Sequence, residues 1–593
     1  MILQALVEYY DRRCADPDPA RHLPVPGFEY KAIPFIIELD LEGGVLQLRD
    51  TRSIDQGRTV ARSFLVPQGE KKTSGVKANL LWDSAEYVIG LDRGRNSPAT
   101  ASPACAFALR VEELSRLAPD DDGIQAVLKA LARADWTVVQ SHPSWPDIVE
   151  TNPVMTFALA DSGSGELVCQ RKSVIAAIKL IGRPQAARGR CLVEGLETEI
   201  ERLHPAIKGV RDAQTSGANV VSFNARAFES YGKTERQGEN APVGTRAVFA
   251  YSTALNALLS RDSPNRVQVG DATTVIWADR RTDLDAALAS IFGDDPDAGV
   301  QAVTARFAAL QSGRVDAAGD DVRFFILGLA PNAARIAIRF WQQATLREIA
   351  PRILQHFRDL AIQKQFDGDP NTPSMFRLLT SIAAQGKADN IPPRIAGEWT
   401  RAILEGTAYP ASLLQSAVSR CRAEQGTREA VGNVPYLRAA ILKACLNREH
   451  RRRHPEDTHR DLIQETLDMS QSHPAYLLGR LFAVLERIQA RAQPGINATI
   501  RDRYYGAAST TPAAVFPTLL RLKNAHLKKL ADGESAWFEK QIGGICGSLD
   551  RPLLSDFPRQ LDLPSQGMFA LGYYQQRQSF FARADETEPK TEN

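Results

Sequence analysis

VRFFILGLAPNAARIAIRFW, residues 322–341, is the stretch on which the fold class turns. Two short runs rich in β-branched and aromatic residues flank a turn pair, Pro331-Asn332, so the segment reads as a β-hairpin. In its second strand a period of two puts Ile336, Ile338 and Phe340 on one face and Arg335, Arg339 and Trp341 on the other. Two arginines beside a tryptophan suit contact with a nucleic-acid strand. The competing reading is a buried sheet face from which arginines reach solvent. From about residue 344 the strand signal stops and helical spacing runs to the end. The predicted class is therefore α+β. An N-terminal region with antiparallel sheets covers 1–343, a helical linker 344–468, and a helical bundle with an acidic, disordered tail 469–593.

Upstream, the pattern alternates between strands and helices. Ile33 to Leu41, a Gly43-Gly44 turn and Val45 to Leu48 read as a hairpin. Arg58 to Pro67 reads as one strand, and LLWD with EYVIGLD, ending at Asp92, continues the β character. Residues 104–134 read as two helices around the acidic turn PDDDG, and 154–171 as a hairpin around residues 162–165. Tyr251–Leu259 and 298–312 read as helices, Thr273–Asp279 as a strand. Downstream, Pro474 suits the first turn of a helix whose stripe is Leu477, Leu478, Leu481, Phe482, Leu485 and Ile488. Arg480, Arg487 and Arg491 share another face. Thr511-Pro512 opens a second helix, with Leu519, Leu520, Leu527 and Leu530 inside and Arg521, Lys523, Lys528 and Lys529 outside.

Two polar stretches stand out as contact surfaces. GEKKTSGVKAN, residues 69–79, sets Lys71, Lys72, Lys77, Thr73 and Ser74 around Gly69 and Gly75; such a loop can offer N–H groups and ammonium charge to phosphates. SFNARAFESYGKTERQGEN, residues 222–240, is dense in amides, hydroxyls and cations. That mixture suits phosphate tracking and base-edge reading. Solvated loops are the plainer alternative for both.

The totals limit the function. A chain of 593 residues exceeds one core, and 44% apolar with 24% charged residues is ordinary for a globular protein. With a net charge of +2, any nucleic-acid surface is a local patch; residues 469–584 carry 14 Lys/Arg against 8 Asp/Glu. No run is long and apolar enough to span a bilayer, and the N-terminus lacks a basic region ahead of its apolar part. Seven cysteines without a C-x-x-C pair fit reduced thiols, and the expected location is cytoplasmic. His450 and His454 lack a third ligand, so no metal is expected. Gly232-Lys233-Thr234 resembles the end of a phosphate-binding loop, but the leading glycine position is Ala227. Hydrolase, zincin, deaminase and kinase signatures are missing, which favours a binding protein without cofactor over an enzyme. A nuclease with an unrecognised site and a purely structural scaffold stay open as alternatives.

Seven blocks then carry a resemblance along nearly the full length: MILQALVEYY; KANLLWDSAEYVIG; HPAIKGVRDAQTSGANVVSFNARAFESYG with NAPVGTRAVFAYSTALNALL; RFFILGLAPNAARIAIRFW; YLLGRLFAVLERIQ; NATIRDRYYGAASTTPAAVFPTLLRL; and QGMFALGYYQQR. In this order they resemble the large subunit of the type I-C CRISPR interference complex, Cascade. The resemblance implies a non-catalytic subunit at the foot of a crRNA-bound complex, beside backbone and crRNA-processing subunits. Such subunits read the protospacer-adjacent motif in double-stranded DNA, promote R-loop formation, support the displaced strand and help recruit a helicase-nuclease. It also implies a small subunit made by internal translation, for which Met469 is the expected start, giving 125 residues. Motif reading is assigned to Lys71, Lys72, Thr73, Ser74, Gly75, Lys77 and Asn79 on one loop. Asn219, Ser222, Asn224, Arg226, Ser230, Tyr231 and Lys233 are assigned to the other. The strand path is assigned to Arg335, Arg339, Arg480, Arg487, Arg491, Arg501, Arg503, Lys523, Lys528 and Lys529.

Overall fold

A computed structural model describes residues 2–18, 21–55, 58–70, 75–92, 102–160, 165–181, 187–233, 238–282, 284–293, 299–301, 304–305, 322–424, 433–457, 461–496, 498–547 and 557–581. Most of the tip expected at 162–165, most of the helix expected at 298–312 and the acidic tail lie outside these residues. The chain divides into two compact units. One takes Leu3–Pro205 and Val221–Ala254, the other Ala206–Val220 and Leu255–Asn593. The expected breaks at 343 and 468 both fall inside the second unit.

The first unit opens with α1 (Ile2–Cys14) and the strands β1 (Phe28–Ala32), β2 (Phe35–Leu39), β3 (Val45–Asp50), β4 (Arg52–Asp55), β5 (Arg58–Ala61), β6 (Ser63–Pro67) and β7 (Trp82–Ser84). The helices α2 (Ala85–Val88), α3 (Pro103–Ser115), α4 (Asp122–Arg133), α5 (Thr137–Gln140) and α6 (Trp145–Thr151) follow. Then come β8 (Val154–Leu159), α7 (Lys172–Leu180), β9 (Arg188–Arg190), β10 (Glu197–Glu199) and α8 (Thr245–Leu258). The main sheet has the order β3-β2-β8-β7, with β2 and β8 parallel and the outer pairs antiparallel. Its two central strands, FIIEL and VMTFAL, are nearly continuous apolar runs, as strands covered on both faces must be. The β2–β3 turn is closed by Asp40, whose Oδ1 accepts the N–H groups of Glu42 (2.8 Å) and Gly44 (2.7 Å). Gly43 has φ of +77°, and a Cβ there would sit 2.7 Å from the Ala130 nitrogen, so only glycine fits.

Three expectations change in this unit. Residues 58–67 form two strands with different partners, β5 with β4 and β6 with β1. EYVIGLD is not a strand. The β7–β8 ladder ends at Ser84, then the Pro153 carbonyl takes the Ala85 N–H and Asn152 Oδ1 the Glu86 N–H, turning the chain into α2. After β8, among the described residues, a single bridge, Ala158 to Leu167, represents the expected hairpin.

The second unit holds an antiparallel sheet of β11 (Arg266–Val269), β12 (Ala272–Ala278), β13 (Arg323–Asn332) and β14 (Arg335–Thr345), in that order. The β13–β14 turn is Ala333-Ala334, two residues beyond Pro331-Asn332. A bulge corrects the predicted faces of β14. Gly328 opposes Phe340 and Leu329 opposes Ile338, which leaves Arg339 unmatched. The extra residue reverses the alternation, so Ile336, Ile338 and Trp341 share a face and Phe340 points to the other. Trp341 stacks on Phe325 at 5.7 Å and 12°.

The helices of this unit are α9 (Leu284–Ile291), α10 (Leu346–Leu360), α11 (Met375–Ile382), α12 (Pro393–Glu405), α13 (Ala411–Ala423), α14 (Tyr436–Arg453), α15 (Pro474–Ala492), α16 (Ile500–Ala508), α17 (Pro512–Leu527), α18 (Asp532–Gly547) and α19 (Leu563–Ser579). One apolar core runs from Ile276, Phe324, Ile326 and Phe340 on the sheet to Phe482, Phe569 and Tyr573 on α15 and α19. At the crossing of those two helices a Cβ on Gly479 would lie 2.0 Å from the Phe569 oxygen, and one on Gly572 2.1 Å from the Tyr476 oxygen. Each helix thus lays its backbone in the other's glycine notch. The apolar stripe of α15 is buried as expected, but so is nearly everything else between Ala475 and Gln489. Neighbours on α16, α17, α18 and α19 surround it.

Candidate nucleic-acid interface

The loop between β6 and β7 is held at both ends. Gly69 N–H donates to Glu29 Oε1 (3.2 Å), Glu70 N–H to Asn79 Oδ1 (2.8 Å), and Trp82 Nε1 to the Pro67 carbonyl (2.7 Å). Asn79 is buried, and its own N–H is taken by Asp83 Oδ2 at 2.9 Å. It therefore ties the base of the loop, with its side-chain oxygen turned to the Glu70 N–H rather than to solvent. Above that tie, Gly75 and Lys77 are exposed. Lys71, Lys72, Thr73 and Ser74 lie outside the described residues.

The loop of residues 222–240 is built differently. Gly238 N–H donates to the Phe223 carbonyl (3.0 Å), closing the neck. Gly238 itself has φ of +85°, and a Cβ would fall 2.3 Å from the Arg202 oxygen. Asn240 Nδ2 donates to Ser230, 2.7 Å to the hydroxyl and 3.2 Å to the carbonyl. A 3₁₀ turn at Arg226–Phe228 carries the chain outward. At the tip stands Tyr231, 96% exposed, with φ of +58°. A left-handed tyrosine costs roughly 1–2 kcal/mol, and apolar packing here offsets none of it. Asn224, Arg226, Ser230 and Lys233 are exposed on the same loop. Ser222 Oγ lies 3.4 Å from Asn224 Oδ1. Asn219 belongs to the second unit, where its carbonyl accepts the Ile336 N–H at 3.0 Å.

The structure places the residues of the expected strand path in different settings, two of them buried. Arg480 is 1% exposed; its Nε donates to Gln576 Oε1 (3.0 Å), its Nη2 approaches Met469 Sδ (3.0 Å), and burial lowers its pKa. Arg501 is buried against Glu486 (3.7 Å) and Asp502 (3.3 Å). The Glu486 carboxylate, inside the bundle, also takes Arg577 (2.8 Å) and the Tyr573 hydroxyl (2.7 Å). One buried acid thus draws cations inward that spacing alone places outside. Arg339 makes two bonds to Asp271 (2.7 and 3.0 Å), Arg491 pairs with Glu534 (2.6 Å) and Lys523 with Glu539 (2.8 Å). Arg487 lies 5.3 Å over the Phe581 ring. Arg335 is half-buried at the start of β14, while Arg503, Lys528 and Lys529 face solvent.

In the charge run at 450–454, Glu449 binds both Arg452 and Arg453 at 2.7 Å. Those guanidinium groups hold its carboxyl down to about 2, below the usual range. Among the described residues no three His, Cys, Asp or Glu side chains gather to hold a metal, and no helix is long and apolar enough to cross a membrane.

A comparison with curated proteins finds no match to the chain. The family model described as CRISPR-associated protein (Cas_Csd1) matches residues 6–581. That match takes in the first unit's polar loops, the β13–β14 hairpin and all the C-terminal helices, so the chain belongs to the Csd1 family of CRISPR-associated proteins, large subunits of type I-C Cascade.

Proposed function

We propose that this chain is the non-catalytic subunit that grips duplex DNA in its Cascade complex, reads the protospacer-adjacent motif and starts the R-loop with crRNA. The observation that carries this reading is the loop of residues 222–240. It holds a tyrosine in solvent, in a costly backbone conformation, among exposed amides and cations. Strain kept at such a site fits a contact made only when a partner arrives. Lys77 and Lys233 hold phosphates, Asn224 and Ser230 read base edges, and Tyr231 enters a base step beside the motif. Readout from the minor groove distinguishes mainly A·T from G·C. Backbone and crRNA-processing subunits are its neighbours, and a helicase-nuclease arrives after opening.

A substitution at Asn224 separates reading from holding. Asn224→Ala is expected to cost ~1–3 kcal/mol on motif-bearing duplex and to relax motif preference. Lys233→Ala is expected to weaken all duplexes alike and to flatten the salt dependence. Gel-shift titration at two salt concentrations checks both, and unchanged affinity and motif choice in Asn224→Ala would sink the assignment.

The small subunit is proposed to start at Met469, an exposed residue in the turn before α15. A product from there keeps the Glu486, Arg501, Tyr573 and Arg577 cluster. It loses the Gln464 carbonyl that accepts from Gln575 and the Gln363 carbonyl that accepts from Tyr574. Intact mass of the purified complex is expected to show this shorter chain beside the full one; the full chain alone would refute it.

A further inference from the structure

The main sheet of the first unit ends in a pocket of about 310 Å³. It lies at the carboxyl ends of the parallel neighbours β2 and β8, where ligands of open sheets gather. Leu39 and Leu159, the last residues of those strands, line it and are buried. Leu41 and Leu46 also line it and are 49% and 52% exposed, so they form its rim. Leu46 is there because of a bulge. Gln47 opposes Glu38 and Val45 opposes Leu39, which leaves Leu46 unmatched on the edge strand β3. Single exposed leucines need no account, but two on one rim above a buried apolar floor do.

The charge on this rim is one-sided. Two acids line it, Asp40 and Glu42. Lys129 on α4 bonds Glu42 Oε2 (3.0 Å) and the Leu41 carbonyl (3.3 Å), so Glu42 has its cation. Asp40 has no cation among the described residues. Its Oδ1 takes the two turn N–H groups, and its Oδ2 accepts no hydrogen bond among the described residues.

We infer that this pocket takes a lysine side chain from a neighbouring polypeptide of the complex. The methylene stem lies on Leu39, Leu41, Leu46 and Leu159, and the ammonium meets Asp40. Lysine fits better than arginine. With Oδ1 already holding two N–H groups, the carboxylate offers one oxygen, enough for a point cation but not for a guanidinium fork. A polypeptide fits better than a free amine. Small ligands bury most of their surface, and a mouth flanked by half-exposed leucines closes only under a larger partner. This contact is independent of the proposed grip on DNA.

A crRNA-bound complex without DNA tests this, treated with a carbodiimide that joins carboxylates directly to amines and then read by peptide mass spectrometry. Asp40 is expected to be joined to a lysine of another protein chain, and Glu42 to Lys129 of its own. Leu46→Arg is expected to cut the first link roughly tenfold, since it sets a cation against the incoming ammonium. It should leave the second link, which shows the turn still folded. The Glu42–Lys129 link alone in wild type overturns the inference. So does an Asp40 link that Leu46→Arg leaves at wild-type yield, which marks a lysine passing outside the pocket. Asp40 joined instead to a small free amine overturns the polypeptide partner. None of these outcomes bears on the motif-duplex titrations, which read the polar loops.

Discussion

Asp359→Ala is expected to destabilise the second unit by roughly 3–5 kcal/mol, the cost of leaving buried charge without its partner. Asp359, on α10, is fully buried. Its Oδ2 accepts from Arg448 Nε at 2.7 Å, and its Oδ1 from Gln355 Nε2 at 2.7 Å and from Arg451. Arg448 extends the network to the Thr407 carbonyl (2.9 Å), and Arg451 to Asp461 (2.5 Å). Lys443 Nζ sits on the Asp359 carbonyl at 3.3 Å, and burial lowers its pKa. Removing the one carboxylate leaves two guanidinium groups and an ammonium in a poorly solvated pocket. Hydrogen exchange on α10 and α14 checks this: protection is expected to drop in both helices together. Asp359→Asn keeps the shape and part of the hydrogen bonding, so it should fall between. Protection equal to wild type in the alanine variant would show that the network contributes nothing net.

Gly479→Ala should come next in size, near the upper end of the ~1–3 kcal/mol typical of overpacking. The new Cβ meets the Phe569 oxygen at 2.0 Å and the Tyr573 nitrogen at 2.8 Å, both backbone atoms that no rotamer change can move. The helices α15 and α19 must separate, which loosens Phe482, Phe569 and Tyr573 at once. Gly572→Ala meets the Tyr476 oxygen at 2.1 Å and should behave alike. Gly506→Ala on α16 is the control of opposite sign. Nothing lies within 4 Å of its Cβ position, so relief of helical glycine should stabilise by up to about 1 kcal/mol. Urea midpoints of the three variants against wild type are the measurement; a destabilised Gly506→Ala or an unaffected Gly479→Ala would contradict this packing.

How much was legible in the sequence follows from which forces act locally. Turn glycines at 43 and 44 and prolines at 474 and 512 mark element ends whatever surrounds them, and the structure keeps all of them. The α+β class was readable at 322–341 for the same reason. The bulge at Arg339 was not, because one unmatched residue leaves no compositional mark yet reverses every side chain beyond it. Nor was the burial of Arg480 and Arg501. A 3.6-residue stripe reports one apolar face but not whether other helices enclose the rest; Gln576 as the partner of Arg480 and Glu486 as the internal counter-charge of Arg501 appear only once α15, α16 and α19 meet. In the candidate site, polar composition singled out two stretches whose described residues run mainly as loops. It did not distinguish Asn79, spent on its own loop, from Asn224, nor place Tyr231 in solvent, since aromatic residues default to the core.

The claim beneath all of this is that the loop of residues 222–240 takes hold of a DNA duplex and parts it. A motif-bearing duplex with 2-aminopurine at the first base pair beside the motif measures that directly, bound by the complete complex with crRNA. Wild type is predicted to give the fluorescence rise of an unstacked base. The variant Asn224→Ala/Tyr231→Ala/Lys233→Ala is predicted to assemble normally and leave the probe quenched. The same rise from both would mean that the duplex opens without this loop, contrary to the account.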